Sequence, residues 1–106
     1  MKQISATQLN ELLLSSEPNP MLLDVREDWE FETCHLANSI HIPMGDVANA
    51  LEQLDPEQTI VVICHHGMRS MQVAQYLETV GYDDVINLSG GIDAWARDVD
   101  PSVPVY

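Results

Sequence analysis

The residues with the greatest chemical potential in this chain stand together in the run Cys64-His65-His66-Gly67-Met68-Arg69-Ser70. Cysteine is an intrinsically strong nucleophile once it is a thiolate. Here it follows the apolar run Ile60 to Ile63, which reads as a buried strand, and precedes the helical stripe Val73, Ala74, Leu77 and Val80. In an open α/β sheet, ligands bind beyond the carboxyl ends of the strands, so a strand-to-helix junction is where chemistry belongs. Cys64 would end its strand with loop N–H groups and a helix N-terminus close to its sulfur, an arrangement that stabilises an anion. Gly67 lets the loop curl into a concavity lined by N–H groups, and Arg69 adds a permanent charge with planar donors. The chemistry implied is a thiolate nucleophile facing an anionic substrate.

Two plainer readings compete. A cysteine at a strand end is often only a small buried hydrophobe, and the Gly and Arg that follow Cys64 are what favour reactivity. Metal binding by Cys64, His65 and His66, with His35 and His41 as further ligands, does not match the usual C-x-x-C or H-x(3–5)-H spacing, so no metal is expected. His65 and His66 are expected to line the mouth of the loop, where either could protonate a leaving group near neutral pH.

The surrounding elements must position this loop. Ser5 and Gln8 form a capping-box pattern ahead of Leu9, Leu12 and Leu13, so a helix is expected from Ala6. Met21 to Val25, Ser39 to Ile42, Ile60 to Cys64 and Val85 to Leu88 read as short strands. Asp28 to Thr33 reads as a short helix, and Val47, Ala50, Leu51 and Leu54 as a helical stripe with Asp46 as its cap. Gly81 sits where a helix C-cap belongs, Gly90 and Gly91 lead into a last helix carrying Ala94 and Trp95, and Pro101 and Pro104 mark the segment beyond it. Alternating buried strands and helices predict an α/β fold around a mainly parallel sheet.

Composition bounds the rest. With 106 residues, 45% apolar and 20% charged, the chain is expected to form one globular domain over residues 1–106. Four basic against 17 acidic residues give a formal charge of -13, which disfavours nucleic acid and anionic membrane surfaces as partners. The first residues lack an uninterrupted apolar stretch of signal-peptide type, so a cytoplasmic location is expected.

The segments LLDVREDWEF, HLANSIHIP, IVVICHHGMRS, VAQYLETVGY and VINLSGGIDAW, in this order over roughly residues 3 to 98, resemble a single-domain rhodanese, a thiosulfate sulfurtransferase. The resemblance implies a three-layer sandwich with a five-stranded, mainly parallel sheet flanked by helices. It also implies that Cys64 takes up sulfane sulfur as a persulfide and that His65, His66, Gly67, Met68 and Arg69 form the substrate-binding loop, with no metal or organic cofactor. The partners implied are a small sulfur-containing anion such as thiosulfate and a thiol or cyanide acceptor, or a protein that donates or accepts sulfur. The same fold occurs in cell-cycle phosphatases, whose loop places five residues between Cys and Arg. This chain has four, so phosphatase activity ranks a distant third, behind a sulfur-carrier or docking module.

Two departures from the family pattern stand out. Where relatives usually read Gly-His-Ile-Pro-Gly-Ala, this chain reads Cys34-His35-Leu36-Ala37-Asn38-Ser39, which is expected to strain or reshape that turn. Cys34 should lie a strand's length from Cys64, so no bridge between them is expected. The loop also carries histidines where many relatives bear Lys or Arg, which points to weak thiosulfate binding and a protein persulfide as donor. Asp24 and Arg26 could orient the loop, although an ion pair of Arg26 with Glu30 is an equally good reading. Trp29, Phe31 and Trp95 read as core or rim packing, and Met68 and Met71 as a candidate apolar lip.

Overall fold

The computed structural model describes residues 1–106. Five strands, β1 (Lys2–Ile4), β2 (Met21–Asp24), β3 (Ile40–His41), β4 (Ile60–Ile63) and β5 (Val85–Leu88), form one sheet in the order β1-β5-β4-β2-β3. Every pairing is parallel. Four α-helices, α1 (Ala6–Ser15), α2 (Asp28–Thr33), α3 (Met68–Thr79) and α4 (Gly91–Asp98), complete the expected three-layer α/β arrangement. None is long and apolar enough to cross a membrane.

The parity of β4 divides the core. Ile60, Val62 and Cys64 face α3 together with Leu23, Val73, Ala74 and Leu77. Val61 and Ile63 face the opposite layer, where they meet Leu9, Ile86, Leu88 and Ile92. All four β4 residues are fully buried, which accounts for a continuous apolar run rather than an alternating one. Cys64 is the first residue beyond the ladder, on the α3 side.

Local chemistry sets the helix ends. The Ser5 hydroxyl accepts from the Gln8 N–H at 3.1 Å while the Gln8 side chain accepts from the Ser5 N–H at 2.8 Å, the reciprocal cap expected. Gly81 takes φ +104 after α3, with its own N–H donating to Glu78 and that of Tyr82 to Leu77, so the last carbonyls are satisfied.

One expectation is corrected. The stripe Val47, Ala50, Leu51 and Leu54 lies on two 3-10 segments, Met44–Asn49 and Leu51–Gln53, and not on an α-helix; the first is entered from Pro43, with Asp46 inside it. Their i→i+3 bonds still put Val47 and Ala50 on one buried face, so the apolar pattern served either helix type. Strand β1 carries no apolar run, since only Ile4 of its three residues is partly buried, and it is recognisable only through its pairing with β5. The turn lacking the family's glycines places Asn38 at φ +66, a left-handed conformation asparagine tolerates.

Candidate active site

Cys64 lies 1% exposed at the floor of a shallow pocket of about 380 Å³ beyond the carboxyl ends of β4 and β2. Its sulfur accepts from the Gly67 N–H at 3.1 Å and stands 3.3 Å from the Ser70 hydroxyl, to which the thiol donates. The Ser70 hydroxyl donates to Asn87 Oδ1, and Asn87 Nδ2 donates to the Gly67 carbonyl at 3.2 Å. Thiol, serine and asparagine thus form a fully buried relay that fixes both the sulfur and the loop.

Gly67 caps α3 at φ +101, and a Cβ there would lie 3.2 Å from the Gly90 nitrogen and the Leu88 oxygen. A Cβ at Gly91 would overlap the carbonyls of Cys64 and His65. That close approach lets the Ile92 and Asp93 N–H groups donate to those two carbonyls at 2.9 and 3.1 Å. The N-terminus of α4 therefore anchors the loop while the N-terminus of α3 faces the sulfur.

The charges around the pocket are arranged differently from the sequence reading. Arg26 is fully buried and pairs with Asp24, its Nε and Nη2 donating at 2.9 and 2.7 Å. Glu30 offers Arg26 only its backbone carbonyl; its carboxylate instead takes both Arg69 terminal nitrogens, at 2.7 and 2.9 Å. The Arg26–Glu30 ion pair, one of the two readings of Arg26 from sequence, gives way to two pairs, Arg26 with Asp24 and Arg69 with Glu30. Bidentate pairing with Arg69 draws the Glu30 pKa down to about 2 in spite of burial, and the same contact raises that of Arg69. Burial opposes the Arg26 charge, but the hydrogen bonds that the guanidinium donates to Asp24 and Tyr106 outweigh it, and its pKa is raised.

All six residues of the predicted loop are brought together, and five of them, Cys64, His65, His66, Met68 and Arg69, line the pocket with Trp29, Glu30 and Tyr106. Gly67 acts from beneath. His65 and His66 stand at the mouth with their rings 4.1 Å apart, and burial pushes His65 below its ordinary value. Met68, 71% exposed, forms a lip; Met71 does not line the pocket. Trp29 is a rim residue, 56% exposed. Among metal-ligating groups, His65, His66 and Asp93 each place one donor atom within 4.8 Å of the others. His35 and His41 stack on Phe31 instead, at 3.9 and 4.4 Å, so the set of histidines considered from sequence does not converge. Cys34 and Cys64 are both free.

The family model for the rhodanese-like domain matches residues 5–98. The chain belongs to the rhodanese-like family. It is 40% identical to YtwF of Bacillus subtilis, provisionally named a sulfurtransferase, over 95% of this chain and 96% of that protein. It is 35% identical to the thiosulfate sulfurtransferase GlpE of Coxiella burnetii, over 89% of this chain and 86% of that one. It is also 37% identical to the adenylyltransferase and sulfurtransferase Uba4 of Ogataea parapolymorpha; the match covers 88% of this chain but only 24% of that longer protein. Among solved structures, a rhodanese-like domain protein from Staphylococcus aureus superposes with a TM-score of 0.84 at 35% identity, covering 90% of this chain and 91% of that one. These similarities support a sulfurtransferase or sulfur-carrier role.

Sequence reasoning missed four residues at the site: Ser70, Asn87, Glu30 as the partner of Arg69, and Tyr106. Asn87 did carry a signal, as the only polar residue of the buried strand VINL. Tyr106 carried none, since it reaches Glu30 across 76 positions of chain.

Proposed function

We propose that this chain is a rhodanese-type sulfurtransferase that carries sulfur as a Cys64 persulfide. The observation that supports it most is the placement of the Cys64 sulfur at the pocket floor, on the Gly67 N–H and beside Ser70, in a loop with four residues between Cys and Arg. The Cys64 thiolate attacks the outer sulfur of thiosulfate or a related donor. A new sulfur–sulfur bond forms to Cys64 as the donor's own breaks, and sulfite departs with the bonding pair. The resulting persulfide keeps one negative charge, which the Gly67 N–H and the α3 N-terminus face. A thiol or cyanide then attacks the terminal sulfur, takes it as a persulfide or thiocyanate, and returns the Cys64 thiolate.

A protein-fed sulfur carrier is the second reading, and the Arg69–Glu30 pair favours it, because the loop's one cation is already neutralised within the chain. Intact mass after incubation with thiosulfate, and again after a thiol, tests the first reading. Gain of one sulfur, removed by the thiol and absent in Cys64→Ala, is expected. No gain from thiosulfate, with a gain from a persulfidated protein, would replace the first reading by the second.

A further inference from the structure

The segment that follows α4 returns to the pocket. Val103 packs against the α1 and α4 side of the core, the Cys34 thiol lies 3.6 Å from the Pro104 carbonyl, and the Tyr106 side chain reaches the wall of the Cys64 pocket. Its hydroxyl accepts from Arg26 Nη1 at 2.8 Å and donates to Glu30 Oε2 at 2.9 Å. Its ring lies 4.3 Å from that of His65 and meets the ring of Trp29 edge-on at 5.5 Å.

This contact is part of how the fold satisfies a buried charge. The Arg26 guanidinium has five N–H groups. Asp24 takes those on Nε and one on Nη2, the carbonyls of Cys34 and Glu30 take one each from Nη2 and Nη1, and Tyr106 takes the last. Without Tyr106 a donor of a fully buried guanidinium stands unpaired, so the hydroxyl is an anchor and the ring is held where it walls the pocket.

We infer that Tyr106 is a specificity-determining residue, whose anchored ring narrows the approach to Cys64 so that slim reagents reach the sulfur and bulky ones do so only when the segment undocks. Extended to substrates, which rests on the sulfurtransferase reading, this selects small donors and acceptors over bulky ones.

The test compares reaction of Cys64 with iodoacetamide and with fluorescein maleimide in the full chain, each rate followed by mass spectrometry of the Cys64 peptide. The ratio of bulky to slim rates is expected to rise about tenfold in Tyr106→Ala, the scale on which a pocket wall discriminates by size. In Tyr106→Phe, which keeps the ring and loses the anchor, it should rise about fivefold, the change in undocked fraction that one net hydrogen bond sets. A ratio within about twofold of the native one in Tyr106→Ala overturns the inference. If Tyr106→Ala does not fold, an unchanged ratio in Tyr106→Phe overturns it alone. Sulfur loading of the same proteins by thiosulfate and by glutathione persulfide separates the two claims. A shifted alkylation ratio with no loading from either donor sinks the sulfurtransferase reading and leaves the access role standing. Loading with an unshifted ratio does the reverse.

Discussion

Glu30→Gln removes one charge from the Glu30–Arg69 pair while keeping the shape of the side chain, and its effect follows from the depressed carboxyl pKa. The carboxyl titrates near 2 in the folded protein against an ordinary 4.5, a difference that corresponds to about 3 kcal/mol of stability at neutral pH. The Arg69 side chain is 36% exposed, so solvent screening reduces this to about 2 kcal/mol. A carboxyl with a lowered folded pKa stabilises above its unfolded value and ceases to do so as pH falls through the folded one. The native advantage over Glu30→Gln is therefore full above about pH 5.5, roughly two-fifths of that near pH 3, and almost gone by about pH 2. Urea unfolding of both proteins across this range measures it. A gap that stays constant with pH, or no gap at neutral pH, refutes the assignment of a charged Glu30–Arg69 tie. The same variant also bears on the proposed chemistry. Freed of its carboxylate, Arg69 presents a net positive charge to the pocket, and the KM for thiosulfate should fall by about fivefold, since a nearby unit charge is worth on the order of 1 kcal/mol in a half-exposed site.

Three further outcomes are expected. Gly91→Ala forces a Cβ into the Cys64 and His65 carbonyls at φ +62, so it should cost about 3 kcal/mol and lower the melting temperature by roughly 15 °C in a calorimetric scan; a shift of a degree or two would show that α4 does not anchor the loop. Ser70→Ala removes the hydroxyl beside the Cys64 sulfur and should slow sulfur loading about tenfold with little change in donor KM, because Ser70 touches the nucleophile and not the donor; a pure KM effect in single-turnover kinetics contradicts this. Burial and the neighbouring His66 lower the His65 pKa, so its ring should titrate below 6.5 by proton NMR, and the group should lose the fold stability as pH falls below that value; a midpoint at or above 6.5 contradicts it.

The features legible in the sequence were those with local causes. The strand Ile60–Ile63 announced itself as a fully apolar run, the cap of α1 by Ser5 and Gln8, and the loop by a glycine and an arginine following a cysteine at a strand end. What could not be read was set by closure of the chain. Arg26 has four carboxylates within four residues, Asp24, Glu27, Asp28 and Glu30, and only the arrival of Arg69, 39 positions beyond Glu30, decides that Glu30 is taken and Asp24 is left for Arg26. The stripe at Val47 fits 3.0 residues per turn as well as 3.6 over so short a stretch, so periodicity alone did not separate a 3-10 segment from an α-helix.

The ionic chain Asp24, Arg26, Tyr106, Glu30 and Arg69 holds two cations and two anions, and its formal charge is zero. Both arginines at the site are consumed in holding α2, α3 and the segment after α4 together. In a molecule of formal charge -13, this leaves no long-range field to draw a dianion toward Cys64. What faces the sulfur is a backbone N–H and a helix N-terminus, a short-range arrangement suited to a single negative charge on a persulfide. On the proposed reading, this arrangement serves retention of the sulfur rather than long-range capture of an anionic donor. On that reading, a donor with a positive surface of its own, as a basic protein has, is drawn by the long-range field but meets the Tyr106 wall at the pocket, whereas free thiosulfate passes the wall and must approach against the field.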